Sequence, residues 1–336
     1  MSQGILPGGA GCDHYLATEI VVRVRAASGQ AWVMETTPRT IIDAVVRSVC
    51  GRDIERLVPL AGGGMNETYR ADCVGDVAVV VRIAHQPTPW FIDEAHLMAQ
   101  ARAAGAPTAE VLGLEHREHD GGLLSFSIQQ FLPGRSLAEF VGELPASELQ
   151  RLVVDAGEIM ARIHAVVPDA GRGIRHELRF PEDGEIARVS LIVRDALGPA
   201  AARIVERGAE FLRSAATNNA VPTSSLAQGD YLPKNLLVHN EAIAGVIDWE
   251  FAGPTTPAFD LARWEVSAGA PLHDRSDLIR QGYERVADPD VADAGLIPAF
   301  AIDWALEMLG WRNPASPAAF RRCMDVIARY AGDSRS

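Results

Sequence analysis

The stretch Leu226–Glu250, "LAQGDYLPKNLLVHNEAIAGVIDWE", places two carboxylates and an amide at the edges of a short apolar hairpin pattern. Asp248 follows Asp230 by eighteen positions, and Asn235 follows it by five. "NLLVH" reads as an entering strand and "IAGVID" as the return. Antiparallel strands bring a chain back to its start, so Asn235 at the entry and Asp248 at the exit can converge. Two carboxylates and an amide oxygen are hard ligands suited to Mg²⁺ rather than zinc, and Mg²⁺ is normally held by one or two carboxylates plus substrate phosphates. Asp230 lies in "GDYLP", where Gly229 and Pro233 oppose regular helix, so it projects as a carboxylate beside the metal.

These residues carry a resemblance. Gln228-Gly229-Asp230, then Asn235, then Ile247-Asp248-Trp249-Glu250, then Asp260 in "PAFDLARW", resembles the aminoglycoside phosphotransferase and choline kinase family of small-molecule kinases. That family, within the protein-kinase-like superfamily, reads His-Gly-Asp, four residues, Asn, and later Ile-Asp-Trp or Ile-Asp-Phe with Glu. Protein kinases proper have Arg at position 229 and Gly at 250. The resemblance spans roughly residues 55–310. It implies a bilobal α+β fold, a small antiparallel-sheet lobe with one helix and a larger, mostly helical lobe. It further implies that Asp230 is the catalytic carboxylate, orienting an acceptor hydroxyl and taking its proton. Asn235 and Asp248 would hold Mg²⁺, and Asp260 would fix the catalytic loop. Gln228 stands where the family has His. That His is mainly a hydrogen-bonding scaffold, and a Gln amide also donates and accepts.

Upstream, "ERLVPLAGGGMNETYRADCVGDVAVVVRIA" reads as strand, glycine turn, strand, turn, strand. The resemblance makes Gly63, Gly64 and Asn66 part of a loop covering the nucleotide, and makes Arg82 a phosphate-contacting cation paired with Glu94 of the following helix. Arg keeps the charge of the more usual Lys but presents a planar fork. "PWFIDEAHLMAQARAAGA" is that helix, ending at Gly105. A strand pair over 108–132 turns near Asp120-Gly121-Gly122. Its end, "SIQQFLPG", resembles the hinge between lobes, where Gln130 and Phe131 would meet the purine of ATP or GTP. Before this block, "TPRTIIDAVVRSVCG" predicts a helix with Thr36 or Thr37 as cap and Gly51 as stop, and "EIVVRVRAASGQAWVME" predicts a strand pair around Gly29.

Past "PGRS" the pattern becomes helical, with segments expected at 136–142, 146–166, 184–195, 198–215, 257–268, 274–286, 296–310 and 315–331. The expected organisation is an extension over 1–37, a nucleotide-binding lobe over 38–132 with its hinge near 129–135, and a helical lobe over 133–336 carrying the catalytic loop, metal site and acceptor pocket. Asp303, Trp304 and Glu307 in "AIDWALEMLGW" are candidate acceptor contacts, although Trp304 at helical spacing with Ile302, Leu306 and Met308 also suits core. His164 in "MARIHAV" is read as a packing or capping residue.

Composition narrows the alternatives. Net charge is −13, spread as −5 over residues 1–132 and −8 over 133–336, which disfavours a nucleic-acid partner. No apolar run is long enough to span a bilayer, and the N-terminus lacks a signal-peptide pattern. Cys12, Cys50, Cys73 and Cys323 show no metal or disulfide spacing, which fits a cytoplasmic protein. Of 31 basic residues, only Lys234 is a lysine.

The function expected is Mg²⁺-dependent transfer of the γ-phosphate of ATP or GTP to a hydroxyl of a small molecule. An antibiotic of aminoglycoside, macrolide, nucleoside or peptide type is favoured over choline, homoserine or a sugar. A non-catalytic nucleotide-binding protein has only Gln228 and Arg82 in its support. A metal-dependent hydrolase lacks a histidine cluster.

Overall fold

The computed structural model describes residues 23–25, 31–33, 36–60, 66–85, 90–169, 171–178, 181–218, 225–269, 271–288, 295–310 and 317–332. Strands β1 (Arg23–Arg25) and β2 (Ala31–Val33) form the expected antiparallel pair, in register Arg23 to Val33. Helix α1 (Arg39–Cys50) follows, buries Ile42, Val45 and Val46 at helical spacing, and stops at Gly51 in the left-handed conformation. Neither threonine caps it: Pro38 occupies the cap, and Thr37 instead gives its N–H and hydroxyl to buried Glu67.

The small lobe is a five-stranded antiparallel sheet. Strands β3 (Ile54–Pro59), β4 (Glu67–Cys73), β5 (Val77–Ala84), β6 (Val111–His119) and β7 (Gly122–Gln130) lie in the order β3-β4-β5-β7-β6. Alternation along β5 sends Val79, Val81 and Ile83 to one face, where they join Phe126, Ile128 and α1 in a compact apolar core. Arg82 therefore points to the other face. There lies helix α2 (Trp90–Ala103). Its Leu97, Met98 and Ala101 belong to the apolar core of the larger lobe, so α2 joins the two lobes while α1 is the helix that covers the sheet.

After β7 the chain enters the larger lobe. The segment expected as helix over 136–142 is instead strand β8 (Arg135–Ser136) and a 3-10 turn, Leu137–Phe140. The hairpin β10 (Leu236–His239) and β11 (Ala242–Val246) provides a partner for β8, and pairing with it wins over a short helix. Helices α3 (Ala146–His164), α4 (Asp183–Leu197) and α5 (Pro199–Asn218) precede that hairpin, with short strand β9 (Ser225–Ala227) between. Strand β12 (Gly253–Thr255) pairs with β9. Helices α6 (Ala258–Ser267), α7 (Ser276–Tyr283), α8 (Leu296–Gly310) and α9 (Pro317–Ala331) complete the lobe. The architecture is α+β and bilobal. Among the described residues no helix is long and apolar enough to cross a membrane.

Candidate active site

Asp230 follows β9 on a loop whose geometry is fixed from below. Gly229 has φ +87°, and a Cβ there would lie 2.1 Å from the Phe251 carbonyl oxygen. Only glycine fits this approach. The next anchor is Asp260, the third residue of α6 and fully buried. Its Oδ1 accepts the Gly229 N–H (3.0 Å) and its Oδ2 the Gln228 N–H (2.8 Å). His164, at the end of α3, donates Nε2–H to the same Oδ2 (3.2 Å), and the Tyr283 hydroxyl donates to its Nδ1 (3.2 Å). Burial alone would raise the Asp260 carboxyl, yet His164 and the two N–H donors hold it below the usual carboxylate range.

Gln228 ties this loop to the segment that carries Asp248. Its amide nitrogen donates to the carbonyls of Ile247 (3.0 Å) and Asp248 (2.6 Å), and its amide oxygen accepts the Asp230 N–H (2.9 Å). A neutral imidazole has one donor and one acceptor, so glutamine makes one bond more than histidine could here.

The hairpin turns at Asn240 and Glu241, both at positive φ, the conformation whose twist matches paired strands. Leu236 pairs with Val246, and the Ile247 N–H bonds the Asn235 carbonyl (2.9 Å). Asn235 and Asp248 are thus brought to the same end. Asp248 has φ +61°, an uncommon conformation for a non-glycine residue, of the kind concentrated at functional sites. Burial is the first cause raising its carboxyl above the ordinary range; Arg82 opposes the rise and the Asp230 charge adds to it. Glu250 is pushed up to about 7, by burial and then by Asp248.

Asp230 is 4 % exposed and held from three sides. Arg263 donates to Oδ1 (2.9 Å), while Lys234 (2.8 Å) and the Asn235 amide nitrogen (3.0 Å) meet Oδ2. Because that amide nitrogen also donates to the Asp230 carbonyl (2.8 Å), the Asn235 oxygen is the group left for a cation. Asn235 and Asp248 fit Mg²⁺ by donor chemistry. They are two hard oxygen donors beside a carboxylate-rich, charge-loaded pocket, and among the described residues no group of three or more His, Cys, Asp or Glu could hold an ion. A site with so few protein ligands needs phosphate oxygens to complete an octahedron.

From the small lobe, Arg82 pairs with buried Glu94 and reaches towards Glu250 (3.7 Å) and Asp248 (4.0 Å). Burial raises the Glu94 carboxyl and Arg82 opposes the rise. Truncating this cation leaves three acids without their shared partner. Arg82→Met is expected to weaken nucleotide binding by about tenfold to a hundredfold, the worth of a charge-assisted hydrogen bond, as measured by titration calorimetry.

The remaining sequence candidates divide. Gly63 and Gly64 lie outside the described residues, and Asn66 is half-buried ahead of β4. Gln130 and Phe131 spend their N–H groups within the sheet, on the carbonyls of Glu110 (2.8 Å) and Ala78 (3.4 Å), so a purine edge would have to use other groups of this segment. Trp304 stands beside the catalytic loop: the Arg263 guanidinium stacks 3.8 Å from its ring centroid, and its indole N–H donates to Ser267 (2.7 Å). Glu307 shares the half-buried face of α8, whereas Asp303 is buried. Arg263 is a site residue the sequence reading passed over. Its position three after Asp260, one helical turn along, was the available signal.

A bilobal fold with an Arg–Glu pair in the sheet lobe and Asp230, Asn235 and Asp248 around a hairpin defines a small-molecule kinase. Residues 56–294 match the phosphotransferase enzyme family, and the chain belongs to that family. Among solved structures it resembles a thermostable mutant of aminoglycoside phosphotransferase APH(4)-Ia. The identity is 20 %, the TM-score 0.61, and the match covers 87 % of this chain and all of that one. It also resembles a protein assigned as a fructosamine-3-kinase from Thermobifida fusca, at 19 % identity and TM-score 0.56, covering 86 % and 98 % of the two chains. No curated protein matches in sequence.

Proposed function

We propose that this chain transfers the γ-phosphate of ATP or GTP, with Mg²⁺, to a hydroxyl of a small molecule, and that the acceptor is an antibiotic or related natural product. The observation that carries the reading is two sets of contacts, Glu94 through Arg82 to Asp248 and Asn235 to Asp230, joined by the Ile247 N–H on the Asn235 carbonyl. In this arrangement Arg82 neutralises phosphate charge, and Asn235 and Asp248 would hold a Mg²⁺ ion, which would supply positive charge at the transferring group. Asp230 orients the hydroxyl and accepts its proton. Residues 38–132 act as the nucleotide lobe, with Gly63, Gly64 and Asn66 covering the phosphates and the segment around Gln130 and Phe131 meeting the base. Trp304, stacked with Arg263, and Glu307, three residues further along α8, form part of the acceptor wall.

Support for a bulky natural-product acceptor comes from a related phosphotransferase solved with ADP and hygromycin B, at 19 % identity and TM-score 0.60, covering 87 % of this chain and 99 % of that one. The fructosamine-3-kinase likeness supports the alternative of a metabolic acceptor. Free thiols at Cys50, Cys73 and Cys323 suit a reducing, cytoplasmic setting. The fully bonded Gln228 amide favours a working catalytic loop over a non-catalytic binding protein.

The test is turnover of ATP and GTP by purified protein across a panel of antibiotics, amino sugars and small alcohols. Acceptor-stimulated release of nucleoside diphosphate is expected, and chelation of Mg²⁺ with EDTA is expected to abolish it. Failure to bind either nucleotide in the presence of Mg²⁺ would overturn the reading.

A further inference from the structure

We infer that Lys234 is the cation that grips the transferring phosphate, passing to it from the Asp230 carboxylate on which it rests in this structure. The inference rests on the kinase reading and adds a residue to it. Among the described residues three cations meet the acids of this site, and two are committed. Arg82 is spread over Glu94, Glu250 and Asp248 with its side chain 10 % exposed. Arg263 is 11 % exposed, bonded to Asp230 Oδ1 and stacked on Trp304. Lys234 shares Asp230 with Arg263 but differs in its exposure. Its side chain is 59 % exposed and its Nζ lies 2.8 Å from Asp230 Oδ2, in the 3-10 turn Pro233–Asn235 that leads into the hairpin.

Composition makes the position more pointed. Thirty arginines serve this chain wherever a cation is required, and a single lysine persists. It adjoins Asn235 and touches Asp230. A guanidinium is a planar fork that locks bidentately onto a carboxylate, whereas an ammonium is a compact charge with three rotatable donors on a flexible stem. The latter leaves one anion and follows another more readily, because its donors need no planar match to re-form.

The movement also has a consequence for Asp230. A carboxylate offers about four acceptor positions. Arg263, Lys234 and Asn235 fill three of them. Asn235 is pinned by its second bond to the Asp230 carbonyl and Arg263 by its stacking. Departure of Lys234 towards the phosphate adds a place on Oδ2, the oxygen it shares with Asn235, to the one left on Oδ1. Phosphate capture thereby widens access of the acceptor hydroxyl to the proton acceptor.

The experiment measures Mg²⁺-dependent binding of ADP and of AMP-PNP, a non-hydrolysable ATP analogue, by calorimetry on the full chain. Lys234→Gln is expected to weaken AMP-PNP about tenfold or more, the worth of one charge-assisted bond, and to leave ADP within about twofold, because ADP lacks the phosphate concerned. A merely structural role would move both ligands together. A second reading is covalent labelling of the parent. An acyl-phosphate of ATP carries its electrophilic carbonyl just beyond the γ-phosphorus. The lysine amine attacks that carbon, the C–N bond forms, the phosphate leaves with the electron pair of the broken C–O bond, and buffer takes the proton. Peptide mass spectrometry is expected to find Lys234 acylated, with ATP protecting it, and Lys234→Arg unlabelled at that peptide. Unchanged AMP-PNP affinity in Lys234→Gln, or a parent that binds nucleotide without acylation of Lys234, overturns the inference and leaves the kinase reading standing. A parent that binds neither nucleotide overturns both.

Discussion

Asp230→Asn is expected to lower acceptor-dependent turnover by about 10²- to 10⁴-fold, the usual contribution of a positioned proton acceptor, while nucleotide affinity changes little. The substitution keeps the shape of the side chain and removes its charge. Its Nδ2 would then face donors on one side: Arg263 lies 2.9 Å from Oδ1, and Lys234 and Asn235 lie 2.8 and 3.0 Å from Oδ2. Whichever way the amide turns, one donor group is set against another, so some local rearrangement accompanies the loss. Of the groups proposed to meet the nucleotide, Arg82, Glu94 and Asp248 do not bond to Asp230, and Asn235 keeps its bond to the Asp230 carbonyl, which is why ADP binding and turnover should separate. The measurement is the ratio of kcat in variant and parent, with calorimetric Kd for ADP alongside. A variant retaining more than about a tenth of parental kcat would remove Asp230 from the proton-accepting role.

How much of this site could be read from the chain depends on how local its determinants are. Asp230, Asn235 and Asp248 were legible because two strands and a tight turn set their relation, and hairpin register follows from sequence over a dozen residues. The Arg82–Glu94 pair was legible for a related reason: alternation along β5 fixes the face of Arg82, and Glu94 is the fifth residue of the helix that follows it. Helices α3, α4, α5, α8 and α9 were similarly visible in their apolar periodicity. Long-range partners were not. Nothing in "RSLAEF" announces that Arg135 and Ser136 will pair with Leu237 and Val238, a hundred residues on. Thr37 looks like a helix cap until a buried Glu67 competes for its donors. The stacking of Arg263 on Trp304 joins α6 to α8, and no spacing rule relates residues forty-one apart. Lys234 shows the same limit in miniature. Its neighbour Asn235 could be assigned a role from the motif, but its own bond to Asp230 emerges only once the 3-10 turn is formed.

The second large effect is expected at Asp260, which touches no substrate. Asp260→Ala removes one acceptor group from three donors at once: the N–H groups of Gln228 and Gly229 and the Nε2–H of His164. All lie where Asp260 and His164 are 0 % and 4 % exposed, so water cannot replace the lost partner without opening the lobe. Removing one member of a buried charged network typically costs about 3–5 kcal/mol, a fall in melting temperature on the order of 10 °C, measurable by scanning calorimetry. Asp260→Asn is expected to recover only part of this, because an amide presents one acceptor atom where the carboxylate presents two. The effect should also carry a pH signature. An unfolded aspartate titrates near pH 4, and Asp260 in the folded chain is held lower despite the opposing effect of burial. Its ionised form therefore stabilises the fold fully above that range, and the contribution disappears as pH falls through the folded-state value. Parent and Asp260→Ala should differ most near neutrality and converge in acid. A gap in stability that stays constant from pH 7 down to pH 3 would mean that packing, and not the anion, secures the catalytic loop. Because Gln228 links that loop to the Ile247 and Asp248 carbonyls, loss of the anion should loosen the Asp248 end of the hairpin and the Asp230 loop together. Turnover in Asp260→Ala should then fall even at temperatures where the protein remains folded.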